Sequence, residues 1–251
     1  MLGGTFSFAA NVPSVSVDKF SDVKDGDWFF KYVKFVADPD NNQIEGSKKV
    51  DWKGNAIMNG TSESTFEPQS NLTRAMFATI LARYDQATVD DSKATIFNDV
   101  EVNQWYTGSI GWANEEKIVQ GYGEGVFGTN DAISRQDLAL MIYRYIKNYY
   151  EPTKKVTIKT HGGEWNGAIE FTDKEDIRKT NEEETVIAVN SCVDYGLILG
   201  YPDGTFKPTQ NITRAETAAI VYRLTWLINQ NGSGSGGGGG GPGTTTDNAY
   251  K

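Results

Sequence analysis

The sequence predicts a mainly α-helical fold in which three helix-loop-helix repeats stack into one domain. Three observations carry that prediction. First, a glycine turn leading into a helix start occurs three times. It is fullest as Gly200-Tyr201-Pro202-Asp203-Gly204-Thr205-Phe206-Lys207-Pro208, followed by Asn211-Ile212-Thr213-Arg214-Ala215-Glu216. The second copy reads Gly121-Tyr122-Gly123-Glu124-Gly125-Val126-Phe127, then Ala132-Ile133-Ser134-Arg135-Gln136-Asp137. The first reads Gly60-Thr61-Ser62-Glu63-Ser64-Thr65-Phe66-Glu67-Pro68, then Asn71-Leu72-Thr73-Arg74-Ala75-Met76. Glycine, phenylalanine and arginine keep fixed spacing in all three, and such periodicity signals stacked copies of one supersecondary unit. Second, a Phe-x-Asp unit opens each copy, at Phe20-Ser21-Asp22, Phe97-Asn98-Asp99 and Phe171-Thr172-Asp173. Third, apolar residues recur at helical spacing both before and after each glycine turn.

The first helix of each repeat follows the Phe-x-Asp unit. Trp105, Ile110, Trp112, Ala113 and Ile118 mark it in the second repeat, and Val186, Val189, Val193 and Leu197 in the third. In the first, Tyr32, Val33, Phe35 and Val36 begin the pattern, with Trp28 ahead of them. Residues 39–54 then read as a surface-loop insertion, rich in Asp, Asn, Lys and Gly. The second helix of each repeat starts after Thr73, Ser134 or Thr213, whose hydroxyls can cap the first turn. Thr213 with Glu216 fits a capping box, Ser134 with Asp137 is a shorter version, and Met76 breaks the pattern in the first repeat. Each second helix ends near another arginine: Arg83, Arg144 or Arg223.

The boundaries that follow are an N-terminal segment 1–19, repeats at 20–90, 91–150 and 171–230, a linker 151–170, and a tail 231–251. The tail, almost all Gly and Ser from Gly232 to Gly243, has the composition of a flexible linker. About 210 residues remain, enough for one sizeable core, whereas a single repeat is too small to stand alone. Leu2–Ala10 is short and apolar, with Ser7-Phe8-Ala9 resembling a secretory cleavage site. It is read either as the end of a signal peptide or as a gene-start remnant. No stretch approaches the ~20 apolar residues of a membrane span.

Composition narrows function. A net charge of −9, from 33 acidic and 24 basic residues, argues against nucleic acid and against a polybasic membrane anchor. An anionic ligand would have to be held by local arginines against a repulsive background. One cysteine, Cys192, and one histidine, His161, exclude an internal disulfide and a zinc cluster. Cys192 reads as a small buried hydrophobe rather than a reactive thiol, and His161 as a solvated linker residue. The Pro202-Asp203-Gly204 turn lacks the spaced acids of a calcium loop. No metal, cofactor or catalytic residue is expected.

The Phe-x-Asp opening, the tryptophan of the first helix, the Gly-Tyr-x-Asp-Gly-x-Phe-x-Pro turn and the Ile-Thr-Arg-Ala-Glu helix start resemble the S-layer homology family. The likeness covers about Phe20 to Gln230. The third repeat lacks the tryptophan, and counting back from the shared turn puts Glu184 in its place. The resemblance implies a pseudo-threefold spindle around a central three-helix bundle, with grooves between repeats. It also implies a secreted, wall-associated module that anchors a surface protein by binding secondary cell-wall polysaccharide, often bearing ketal-linked pyruvate on N-acetylmannosamine. A cargo domain joined through the Gly-rich tail would be the anchored partner.

Carried over residue by residue, the motif arginines are Arg74, Arg135 and Arg214. Arginine's planar fork suits a carboxylate, and a helix start is expected to add free N–H donors and partial positive charge. The other ligand candidates are Trp28, Trp105, Tyr122 and Tyr201 as sugar platforms; Asp22 and Asp99; the hydroxyls of Thr73, Ser134 and Thr213; and Gly121, Gly200 and Gly204, which allow close backbone approach. A structural role stands beside each. Arg214 could pair with Glu216 or with a Phe-x-Asp acid, and both tryptophans could be core on the apolar face of the first helix. If each groove takes an arginine from one repeat and its tryptophan from the next, Arg74 meets Trp105, Arg214 meets Trp28, and Arg135 has the weakest groove. Rival readings are a self-assembling lattice protein and the anchor fragment of a glycan-active enzyme.

Overall fold

A computed structural model of the chain describes residues 17–39, 42, 44, 52, 55–94, 96–159, 171–177 and 182–232. His161, the Leu2–Ala10 stretch and the sequence after Gly232 lie outside them. Seven α-helices appear among the described residues: α1 (Phe30–Ala37), α2 (Arg74–Tyr84), α3 (Thr107–Glu115), α4 (Arg135–Arg144), α5 (Glu151–Lys154), α6 (Glu182–Asp194) and α7 (Arg214–Gly232). A π-helical turn, Tyr145–Tyr150, continues α4 into α5. Extended pairing among the described residues is limited to isolated bridges, so the fold is mainly helical.

The helix starts follow from the expected caps. Thr73 Oγ1 accepts from the Met76 N–H, and Ser134 Oγ from the Asp137 N–H. Thr213 and Glu216 close a reciprocal box: Thr213 Oγ1 accepts from the Glu216 N–H, while the Thr213 N–H donates to Glu216 Oε2. The first-helix ends also repeat. Ile118 and Val119 donate to the Ala113 carbonyl, as Leu197 and Ile198 do to that of Cys192.

Just before the second helices, the three repeats meet in a closed ring of backbone hydrogen bonds. Leu72 N–H donates to the Ile212 carbonyl, Ile212 N–H to Ile133, and Ile133 N–H to Leu72, at 2.9–3.0 Å. All three side chains are fully buried. Each repeat therefore donates once and accepts once, which defines the pseudo-threefold axis. From this ring run α2, α4 and α7, buried on almost every face, as central helices must be. The first helices pack outside them in cyclic order: α3 on α2, α6 on α4, and α1 on α7. The chain ends are thus joined by packing, since the first repeat's α1 rests on the third repeat's helix.

The Phe-x-Asp units hold the glycine turns. Phe20 packs on Phe66, Phe97 on Phe127 and Phe171 on Phe206, with centroids 5.2–5.6 Å apart and planes tilted 53–55°. The aspartates accept from turn N–H groups: Asp22 from Phe66 and Glu67, Asp99 from Phe127 and Gly128, Asp173 from Phe206 and Lys207. The opening glycine of each turn lies under the same phenylalanine, and a Cβ on Gly200 would collide with the Phe171 ring.

Several elements differ from the sequence reading. The 39–54 insertion is not simply a surface loop, because Ile44 and Trp52 are buried. Trp52 packs edge-on against Phe35 at 5.1 Å and faces Tyr84 at 6.1 Å, so a sparse apolar content still delivers two core side chains. Trp28 and Trp105 each stand two residues ahead of α1 and α3, in the preceding turn rather than on an apolar helix face. The buried tryptophan of α3 is Trp112. Residues 151–159 of the expected linker are built into the fold: Ile158 is buried, and the Lys159 N–H donates to Asn231 Oδ1. Cys192 is fully buried, and burial pushes its thiol pKa well up.

Gly200→Ala should lower stability by about 2 kcal/mol, because the added methyl must displace Phe171 from Phe206. Urea unfolding followed by circular dichroism measures this, and an unchanged midpoint would contradict the packing role.

Candidate functional site

The motif arginines start the second helices, and each reaches across the axis to the turn of the next repeat. Nε of Arg74 donates to the Phe127 carbonyl at 2.9 Å, Nε of Arg135 to Phe206 at 2.7 Å, and Nε of Arg214 to Phe66 at 2.8 Å. Nη2 adds a second carbonyl: Leu199 for Arg135 and Asn59 for Arg214, at 2.7 and 2.6 Å. The guanidinium planes also lie over rings, Arg74 over Tyr122 at 4.4 Å and Arg135 over Tyr201 at 4.7 Å. All three arginines are buried. Desolvation lowers the Arg214 pKa, opposed by the nearby charges of Glu67 and Asp22.

The first-turn N–H groups of these helices are not free for a ligand. Arg74 and Ala75 donate to the carbonyls of Asp131 and Thr129, Arg135 and Gln136 to those of Gln210 and Pro208, and Arg214 and Ala215 to those of Ser70 and Pro68. The next N–H in each helix is taken by the cap hydroxyl of Thr73, Ser134 or Thr213. Closure of the ring therefore consumes the donors that a helix start would otherwise offer. Glu216, engaged with Thr213, is not the partner of Arg214.

An open cleft of about 450 Å³ lies between repeats. One wall is the first repeat's turn, with Asn59 and Thr61, and another is the face of α2 with Met76, Thr79 and Arg83. Arg214 enters from the third repeat and Trp105 from the second. One cleft thus draws on all three repeats. Trp105 is 51 % exposed and braced edge-on by Tyr106. Thr61 stands where Tyr122 and Tyr201 stand in the other turns, a register set by the N–H bonds of Thr61, Tyr122 and Tyr201 to Thr65, Val126 and Thr205. Consequently Arg214 has Phe66 beneath it at 4.6 Å, while its cleft side borders a small hydroxyl rather than a ring.

Arg83 was not among the sequence-predicted site residues. Among the described residues its guanidinium has no hydrogen-bond or ion-pair partner, and burial lowers its pKa. The signal was in the sequence, because an arginine follows the motif arginine at the same interval in all three repeats. That interval turns the second arginine to the opposite side of the helix, into the cleft of its own repeat.

The expected groove pairing is therefore corrected: Trp105 shares its cleft with Arg214, not Arg74. The threefold relation carries Trp28, half-buried against Phe29 and Tyr32, to the cleft of Arg135. The register lacking tryptophan falls in the cleft of Arg74. There Glu184 takes both forks of Arg144, at 2.8 Å to Nε and 2.5 Å to Nη2. Of the other predicted residues, Tyr122 and Tyr201 cover the motif arginines. Gly121 and Gly200 seat phenylalanines, Gly204 turns its loop at positive φ, and Asp22 and Asp99 fasten turns.

The profile of the S-layer homology domain matches residues 52–78, 96–139 and 176–218. The chain carries three tandem S-layer homology repeats. The first match begins inside the insertion, yet α1 belongs to its S-layer homology repeat, because it packs on α7 as α3 packs on α2. Curated relatives include a cellulosome-anchoring protein of Acetivibrio thermocellus, 27% identical over 66% of this chain and 35% of that protein. An endoglucanase of a Bacillus species is 28% identical over 83% of this chain and 19% of its own length. An S-layer protein of Bacillus thuringiensis subsp. finitimus is 27% identical over 64% of this chain and 18% of its own. The S-layer homology segment thus spans about a third or less of these relatives. No described helix is long and apolar enough to cross a membrane.

Arg135→Ala should cost about 3 kcal/mol or more, since two buried carbonyls lose charged donors, and denaturant unfolding reads that loss. The Arg144 hydrogen bonds, with its charge, hold the Glu184 carboxyl below the usual carboxylate range despite partial burial. A depressed folded pKa makes its stabilisation complete above the unfolded carboxylate value and lost as pH falls through the depressed one. Glu184→Gln should accordingly flatten the acid limb of the stability–pH curve.

Proposed function

We propose that these repeats anchor a protein to the bacterial cell surface by binding an acidic cell-wall polysaccharide, pyruvylated in the form the family resemblance suggests. The observation that carries this reading is Arg83, a cation in a cleft with no counter-ion among the described residues, beside an exposed tryptophan. The guanidinium is partly desolvated at the wall of an open cleft, so an anionic ligand reaching it would supply a charge partner that the described residues do not. A pyruvate ketal supplies a carboxylate for the guanidinium fork. The apolar C–H face of its sugar can lie on Trp105, while Thr61 leaves room beside Arg214. Clefts repeated around one axis would engage several residues of a polymer, raising retention by effective concentration.

The relatives fit an anchoring role in distinct settings, since an anchoring protein, an endoglucanase and an S-layer protein share this segment. The cargo in this reading is whatever polypeptide is continuous with the repeats, and the repeats themselves perform no catalysis.

Arg83→Gln and Trp105→Ala should each weaken binding to purified cell-wall sacculi about tenfold or more, with unfolding midpoints close to the parent. Sacculi stripped of secondary polymer should bind neither parent nor variant. Undiminished binding to stripped sacculi would sink the reading.

A further inference from the structure

The three seams between repeats are not equivalent, and at the second one a carboxylate of the protein itself holds the guanidinium. Its register is fixed by main-chain geometry, because the bonds closing α3 onto Ala113 recur where α6 closes onto Cys192. Counting back the same distance brings Trp105 onto Glu184, and counting along the second helices brings Arg83 onto Arg144. The first cleft thus has a tryptophan and a guanidinium with no side-chain partner among the described residues. The second has a guanidinium gripped at both forks by a glutamate.

The grip is well formed. Glu184 Oε1 accepts from Nε and Oε2 from Nη2, and Arg144 Nη2 also reaches Gln120 Oε1 at 3.4 Å. The Arg144 side chain is only 6% exposed, while that of Glu184 is 39% exposed at the rim. Across the same cleft, the Tyr122 ring covers Arg74, where the first cleft has only Thr61. Both arginines of the second cleft therefore have partners within the chain.

We propose that Glu184 acts as an intramolecular stand-in for the ligand carboxylate and closes the second cleft to acidic glycans. An incoming carboxylate must displace a tethered one, whose effective concentration is high. The displaced Glu184 then remains nearby as a like charge, unfavourable to the ligand that expelled it. Occupancy is thereby biased towards the clefts of Arg214 and Arg135.

This inference rests on the acidic-glycan reading above. The test is calorimetric titration of the intact chain with the pyruvate ketal of N-acetylmannosamine, comparing parent, Glu184→Gln and Glu184→Ala, with circular dichroism melts to verify folding. Both variants should bind one more probe per chain than the parent. Adding Arg144→Ala to Glu184→Gln should remove that extra site. Equal stoichiometry in parent and variants overturns the closure while leaving the glycan reading intact. No binding by any of them overturns both.

Discussion

The three-membered ring of backbone bonds through Leu72, Ile133 and Ile212 constrains everything else in this molecule. A buried N–H or carbonyl left unpaired is costly, and here each repeat can satisfy its own pair only by using both neighbours. The ring fixes where the second helices begin and how they diverge from the axis. It also fixes which turn each motif arginine can reach. The arginines then act as rivets, binding the carbonyl after each turn phenylalanine from across the axis.

Those rivets change how the motif is understood. An arginine at a helix start looks like a ligand hook, but here its Nε is spent on the fold. Arg135 is wholly buried beneath Tyr201 and Phe206. Arg214 keeps a side towards the open cleft while holding the first repeat's turn. The less conspicuous second arginines have more chemical freedom, and their circumstances differ: Arg83 is bare among the described residues, Arg144 is claimed by Glu184, and Arg223 leans on the Leu197 carbonyl at 3.3 Å. Divergence among clefts is therefore written in these arginines and their neighbours more than in the motif.

Local chemistry made much of the fold legible. Caps at Thr73, Ser134 and Thr213, and most of the apolar faces at helical spacing, depend on neighbours in sequence and appear where expected, although Val186, read as part of the face of α6, lies exposed while Val189 and Val193 are buried. The contributions of Ile44 and Trp52 were hidden because a polar stretch can place a few apolar groups in the core without any periodicity. Trp105 could not be placed from its spacing alone, since it sits just outside α3 and turns outward. The pairing of arginines with tryptophans was beyond local reasoning for a further cause. A ring of three can be read in either direction, and only the tertiary structure shows that the cleft of Arg214 is completed by Trp105.

The junction of three repeats at each cleft has a consequence for how such a module changes over time. A solitary copy contains no site, only the edges of sites. In the proposed reading, selection for ligand binding thus acts on seams, and a substitution in one copy is judged by what the other two contribute to that seam. The threefold symmetry inherited from duplication can therefore decay unevenly, one seam retaining its opening while another is stitched shut, without disturbing the ring that holds the copies together.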